Sequence, residues 1–180
     1  NSIEADKADE AKTLYEKAIA ELEPVVANVT QLPAANYSLG ISYSKVGKFD
    51  QAIDQFQRVL AVDPNNLSTL QNLAVAYFQE QQYDAAIEQA KKAAAVDPKN
   101  LTIQKLLLDA YLRTNNGEGA QATLAAIETL SPNDPALSIN KAMVALQARN
   151  YPEAVKQAEA ALSSGQETGF TYNILGRAQA

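Results

Sequence analysis

The sequence contains no cysteine and no histidine. That removes thiol nucleophiles, disulfides, imidazole bases and the usual zinc ligands together. No stretch approaches about 18 consecutive apolar residues, so nothing here is expected to span a membrane. No secretory signal pattern opens the chain. Positive charge is in short supply, with 15 Lys and Arg against 21 Asp and Glu and a net charge of -6. An acidic surface repels phosphate backbones, which argues against a nucleic-acid partner. There is no glycine-rich phosphate loop. The acidic pairs Asp9/Glu10 and Glu21/Glu23 lie on surface helix, where nothing pushes two pKa values apart as acid–base catalysis requires. No base, nucleophile and oxyanion donors can be assembled from these residue types. No catalytic residue, metal or cofactor is expected, and the chain reads as a non-enzyme. It opens on Asn1 rather than Met and reads as a piece of a longer protein, cytoplasmic or periplasmic.

What the chain does have is a period. "LAVDPNNLSTLQNL", from Leu60, returns as "AAVDPKNLTIQKLL" from Ala94, and weakly as "TLSPNDPALSI" from Thr129. Pro64, Pro98 and Pro132 are spaced 34 residues apart. The same step aligns Leu39, Leu73, Leu107 and Leu175, and it aligns Tyr43, Tyr77 and Tyr111. It also aligns Phe49, Tyr83 and Tyr151, and Ala18, Ala52, Ala86, Ala120 and Ala154. A fixed period of this size marks stacked supersecondary units. Each unit buries its apolar face on its neighbours, so no single central core is needed.

Within each unit the apolar residues recur at three and four residues, which is helical. Short turns such as "SKVGKFD" and "RTNNGEG" split the unit into two helices. Gly47 and Gly117 suit the left-handed conformations that such turns need. The second helix ends near "DP", because the residue before proline is pushed out of the helical region. Asn66, Asn100 and Asp134 then stand at equivalent N-cap positions. Residues 33–66, 67–100, 101–134 and 135–168 form four repeats. Residues 1–32 hold an N-terminal helix or partial repeat, and 169–180 the truncated first helix of a further one, in one solenoid domain.

Three expectations concern irregularities. Residues 3–23 form one long helix that Pro24 kinks or ends, with Ala11, Leu14, Tyr15, Ala18, Leu22, Val25 and Val29 as its apolar stripe. Gly117 and Gly119 make the third turn the loosest spot, since a helical glycine costs roughly 1 kcal/mol against alanine. Lys141 replaces a packing leucine, so its helix is rotated onto Ile139, Ala142, Met143 and Leu146, with Lys141 snorkelling to water.

Asn36, Leu39, Gly40, Tyr43, Ala52, Phe56 and Pro64 carry a resemblance to the tetratricopeptide repeat (TPR) family, with Asn36 where tryptophan is typical. The resemblance implies an all-α, right-handed superhelical solenoid of antiparallel helical hairpins, with a concave groove lined by the first helix of each repeat. Tyr172 and Phe56 fall on packing sites of the family. Removing the periodic packing residues leaves Tyr37, Phe78 and Phe170 as unexplained aromatics.

Mapped onto that groove, the candidate binding residues are Tyr37, Ile41, Asn72, Val75, Phe78, Gln79, Lys105, Asp109, Arg113, Asn140 and Met143. Lys45, Gln71, Leu112, Gln147, Asn173 and Arg177 map there too. Exposed aromatics that no packing rule requires suit an anchoring role, although Phe78 also reads as a residue packed between helices. Lys105, Asp109 and Arg113 are spaced four apart, either as an intrahelical charge ladder or as a polar strip orienting a ligand.

Chaperone-binding relatives grip a C-terminal carboxylate with a clamp. Its matching sites here are Tyr37, Ile41, Asn72, Thr102 and Leu106, of which only Asn72 fits. Chaperone tails are therefore not expected partners. The sequons at Asn28, Asn36, Asn66 and Asn100 are read as chance matches rather than glycosylation sites.

The function these readings favour is a noncatalytic scaffold holding a protein or an extended peptide in the groove. The alternatives are homo-oligomeric assembly through the exposed repeat ends, or the recognition arm of a larger enzyme. The Ala, Gln and Asn content points to a bacterial protein.

Overall fold

The computed structural model describes residues 2–28, 32–166 and 168–179, and among them it contains ten α-helices and no strand. The chain divides into two compact units, Asn1–Pro98 and Lys99–Ala180. The first holds α1 (Ser2–Asn28), α2 (Pro33–Lys45), α3 (Phe49–Val62), α4 (Leu67–Gln79) and α5 (Tyr83–Val96). The second holds α6 (Leu101–Arg113), α7 (Gly117–Leu130), α8 (Leu137–Gln147), α9 (Tyr151–Ser163) and α10 (Gly169–Gln179). Within each unit, short connections make consecutive helices antiparallel neighbours. The second helices of the hairpins start at Phe49, Tyr83, Gly117 and Tyr151, each 34 residues after the last.

The caps explain where the helices begin. Asn66 accepts a hydrogen bond from the Thr69 backbone N–H at 3.0 Å, and Asn100 one from Ile103 at 3.2 Å. Asn116 and Asn150 cap α7 and α9 in the same way. Asp134 departs from expectation. It accepts from the Ala136 N–H at 2.9 Å, and α8 starts only at Leu137. Asp134 therefore caps a turn ahead of the helix. Its other carboxylate oxygen pairs with Lys105 at 2.5 Å.

The turns inside the hairpins share one left-handed site. Gly47 (φ +79°), Gln81 (+59°), Asn115 (+55°) and Arg149 (+57°) occupy it. Gly117 does not, because it is the first residue of α7 and the turn beside it is made by Asn115.

In the first unit, Phe56 is fully buried among Leu39, Tyr43, Ile53 and Leu73, with Ile19 and Val26 of α1 in the same cluster. α1 runs on through Pro24 rather than ending there, and the Asn28 side-chain amide donates to the Pro24 carbonyl at 2.7 Å. Its packed face is Ile19, Leu22 and Val26, while Leu14 and Val25 of the expected stripe are exposed. Three- and four-residue steps place Ile19, Leu22 and Val26 on one side of the helix, and Leu14 and Val25 stand off it. Val29 lies outside the described residues.

In the second unit, Leu108, Ala120, Leu124, Ile127, Leu137 and Val144 form one cluster. Smaller clusters centre on Ala142, Ala158 and Ile174, and on Ala145, Ala154 and Ala178. α8 packs its expected stripe, with Ile139, Met143 and Leu146 against the Ala142 cluster, yet it is not rotated out of the repeat register. Ala142, Val144 and Ala145 are buried at the positions that Gly40, Ser42 and Tyr43 fill in α2. Lys141 is half-buried and ends in an ion pair with Glu128 at 2.6 Å, so the charge is met by a partner on α7.

Gly119 is not a slack position either. A Cβ there would lie 2.6 Å from the Tyr111 ring, so the missing side chain lets the ring pack against α7. Tyr172, on a family packing site, is 53% exposed. The Phe170 side chain lies outside the described residues.

The Tyr43 hydroxyl donates to the Glu23 carboxylate, tying α2 to α1. Burial, then the hydrogen bond and charge of Glu23, push the Tyr43 pKa up from 10.0 to about 12. Tyrosine is neutral when protonated. The stabilisation is therefore complete below pH 10 and is lost as pH rises toward 12, because the unfolded chain ionises first. Urea midpoints measured from pH 8 to 12 should fall more steeply for the wild type than for Tyr43→Phe.

Candidate functional site

A first helix has two kinds of position. One kind, such as Leu39, Leu73 and Leu107, is buried and repeats. The other kind keeps part of its surface open. All of the candidate residues are of this second kind. Tyr37, Ile41, Asn72, Phe78, Lys105, Asn140 and Met143 are half-buried, and Val75, Gln79, Asp109 and Arg113 are exposed.

On the first unit, α2 and α4 supply the face. The Asn72 side-chain amide donates to the Tyr37 hydroxyl at 3.1 Å and to the Ser68 carbonyl at 2.8 Å, joining the two helices at this surface. The Tyr37 ring tilts against Phe56, with centroids 6.1 Å apart. Tyr37 is thus a supported ring with one side free, not a floating one. A hollow of about 310 Å³ adjoins it, lined also by Pro33, Val59 and Thr69. Phe78 packs edge-on against Tyr83, with centroids 5.2 Å apart. That contact accounts for part of its surface and leaves the rest open.

On the second unit, α6, α8 and α10 supply the face. The Lys105, Asp109, Arg113 spacing does not close into a ladder of ion pairs, because Lys105 is drawn off to Asp134. Lys105 holds the Asp134 carboxyl below the usual carboxylate range. Desolvation raises the Asp109 carboxyl, against the opposing charges of Arg113 and Lys105. Asp109 is exposed as a residue, so the two observations pull apart. They agree for a side chain that is open to solvent on one side and crowded by protein on the others. Among the described residues neither Asp109 nor Arg113 has an ion-pair partner within 4.0 Å. Both can therefore serve an incoming polar group.

The second unit also holds a cavity of about 420 Å³. Leu112, Met143, Leu146 and Ile174 give it an apolar side. Asn115, Gln147, Asn173 and Tyr151 give it a neutral polar side, and Arg149 and Arg177 supply positive charge. Gln147 donates to the Asn115 side-chain oxygen at 2.9 Å and reaches the Leu112 carbonyl at 3.3 Å, so it pins the α6–α7 turn. Met143 is the one candidate from the eleven that lines this space. Asn140 does not.

Three of the lining residues escape a first-helix mapping. Asn115 and Arg149 come from the turns. Tyr151 reads as a packing residue by its period, yet it is 44% exposed. The signal that could have found them is the period itself, which puts Asn115 and Arg149 on equivalent sites beside the second helix. The clamp residue Asn72 is already engaged by Tyr37 and Ser68. Of the sequons, Asn66 and Asn100 are helix caps and Asn36 is buried, so three of the four are occupied structurally.

Among the described residues, no helix is long and apolar enough to cross a membrane and no group of three or more acidic side chains could hold a metal ion.

A family model described as "Psidin, N-terminal TPR repeats region" matches residues 9–166. No curated protein sequence matches the chain. Among solved structures, MamA MSR-1 is 26% identical with a TM-score of 0.77, over 90% of this chain and 94% of that one. YrrB, described as a TPR protein with an unusual peptide-binding site, is 15% identical with a TM-score of 0.80, over 92% of this chain and 87% of that one. A tetratricopeptide repeat protein from Parabacteroides merdae is 16% identical with a TM-score of 0.66, over 93% of this chain and 65% of that one.

Proposed function

Because the chain belongs to the tetratricopeptide-repeat family, we propose that it is a noncatalytic scaffold whose first-helix faces hold an extended peptide or a partner helix. The observation that carries this reading is the contrast along the first helices. The periodic Leu39, Leu73 and Leu107 are buried, while all eleven candidate positions are left half-buried or exposed. Tyr37 and Phe78 supply supported aromatic surface, and aromatic anchors dominate binding energy at such faces. Asn72, Asn140, Asp109 and Arg113 supply polar groups. Side-chain amides can hydrogen-bond a peptide backbone whatever its sequence. The peptide-binding description of YrrB, which shares the fold, supports the same reading.

A screen of the chain against a diverse peptide library tests it. Phe78→Ala should weaken hits on the first unit, and Arg113→Ala hits on the second, by about tenfold or more. Lys92→Ala, on α5 and paired with Glu88 one turn away, should leave them unchanged. Hits that ignore both face variants would contradict the reading.

The exposure of Tyr172 on a packing position favours a second reading, in which copies associate through α10. A sedimentation coefficient that rises with concentration would support it, and one that stays constant would count against it.

A further inference from the structure

We propose that the cavity of the second unit is a pocket for a peptide carboxylate flanked by an apolar side chain. The proposal rests on the scaffold reading and names the chemistry of one part of it.

The charge of the lining is the starting point. The chain carries 21 acidic residues against 15 basic ones, yet this cavity is lined by two arginines and by no acidic residue. Arg149 reaches it from the α8–α9 turn and Arg177 from α10. Among the described residues neither guanidinium has an ion-pair partner. Two cations facing one space repel each other until an anion enters. The planar fork of a guanidinium matches a carboxylate in two-pronged contact.

Neutral donors are arranged alongside. Gln147 holds the oxygen of the Asn115 carboxamide at 2.9 Å, which fixes that group and leaves its N–H donors for a ligand. Asn173 lines the same space. The apolar part of the lining is Met143, Leu146 and Ile174, with the half-exposed Tyr151 ring. A bare inorganic anion would waste that surface, whereas a peptide carboxylate beside an apolar side chain uses both. The volume of about 420 Å³ falls in the range of small-ligand sites. None of these residues stands at the chaperone-clamp sites discussed above.

The carboxylate can belong to a chain end or to an Asp or Glu side chain, and three probes separate the sources. Each is an N-terminally labelled peptide pool, randomised without acidic residues around a leucine. The first ends in a free carboxylate after that leucine. The second is amidated and carries one Glu beside the leucine. The third is amidated and carries Gln there. Fluorescence anisotropy should show the first or the second pool binding about tenfold or more tighter than the third. The better of the two identifies the source.

Arg149→Gln with Arg177→Gln should bring that pool down to the level of the third. Gln81 fills the equivalent turn site at φ +59°, so Arg149→Gln preserves the turn, and circular dichroism should be unchanged. If all three pools bind equally and only Phe78→Ala weakens them, the pocket assignment is wrong while the scaffold reading stands. If no pool binds the wild type, both are overturned.

Discussion

Phe56→Ala should destabilise the first unit by about 3–5 kcal/mol, the range for deleting a buried aromatic. Phe56 is fully buried, and two residues of α2 crowd its ring. A Cβ on Gly40 would stand 2.6 Å from its ring, so α2 approaches as closely as a glycine permits. Tyr37 tilts onto it from the same helix at 6.1 Å. Equivalent positions hold Leu22, Ala90, Leu124 and Ala158, so Phe56 is the largest residue at this repeat site. Truncation would leave a void between Gly40 and Ile53 that backbone contacts prevent from collapsing fully. The same change removes the support under Tyr37, so binding at the α2–α4 face should weaken along with stability. Thermal unfolding and peptide affinity measured on the same variant check both halves of the expectation.

Gly119→Ala should also destabilise, although alanine is the better helix former. The gain in helix propensity is at most about 1 kcal/mol. Against it stands overpacking, typically about 1–3 kcal/mol, because the new Cβ would lie 2.6–2.8 Å from three Tyr111 ring atoms. The ring is one edge of the buried Leu108 and Ala120 cluster, so it has little room to withdraw. Gly117→Ala is the matched contrast. Nothing lies within 4 Å of its Cβ position and its φ is ordinary, so stability should hold or rise slightly. Urea unfolding of the two variants side by side checks the opposite signs. If Gly119→Ala stabilised the chain as Gly117→Ala does, the third turn would be slack after all.

The period made the fold legible. Repetition of Leu39, Leu73 and Leu107, with Pro64, Pro98 and Pro132 closing the first three repeats, locates the helices because the same burial is demanded at every step. What misled was reading single residues against that grain. Gly117 drew attention as a turn glycine, while the left-handed site had passed to Asn115, two residues earlier and in step with Gly47. Lys141 suggested a turned helix, but Ala142, Val144 and Ala145 hold α8 in register and Glu128 meets the charge. In α1 Ile19 was passed over for Leu14, although it lies one step of 34 before the buried Ile53.

The candidate faces were legible by subtraction, since what packing does not need is left outward. The arginine-lined cavity was not. Two of its lining residues come from turns and a third carries a packing identity, so only the folded chain brings them to one place.

The central claim is that the first-helix faces bind. Amide chemical shifts of an isotope-labelled chain, titrated with a peptide from the library screen, test it most directly. Shifts should move along α2 and α4 around Tyr37, Asn72 and Phe78, or along α6, α8 and α10 around Asp109, Met143 and Arg177. Shifts confined to the outward faces of α3, α5, α7 and α9, around Arg58, Lys92 or Lys156, would contradict the account and move the binding surface to the second helices.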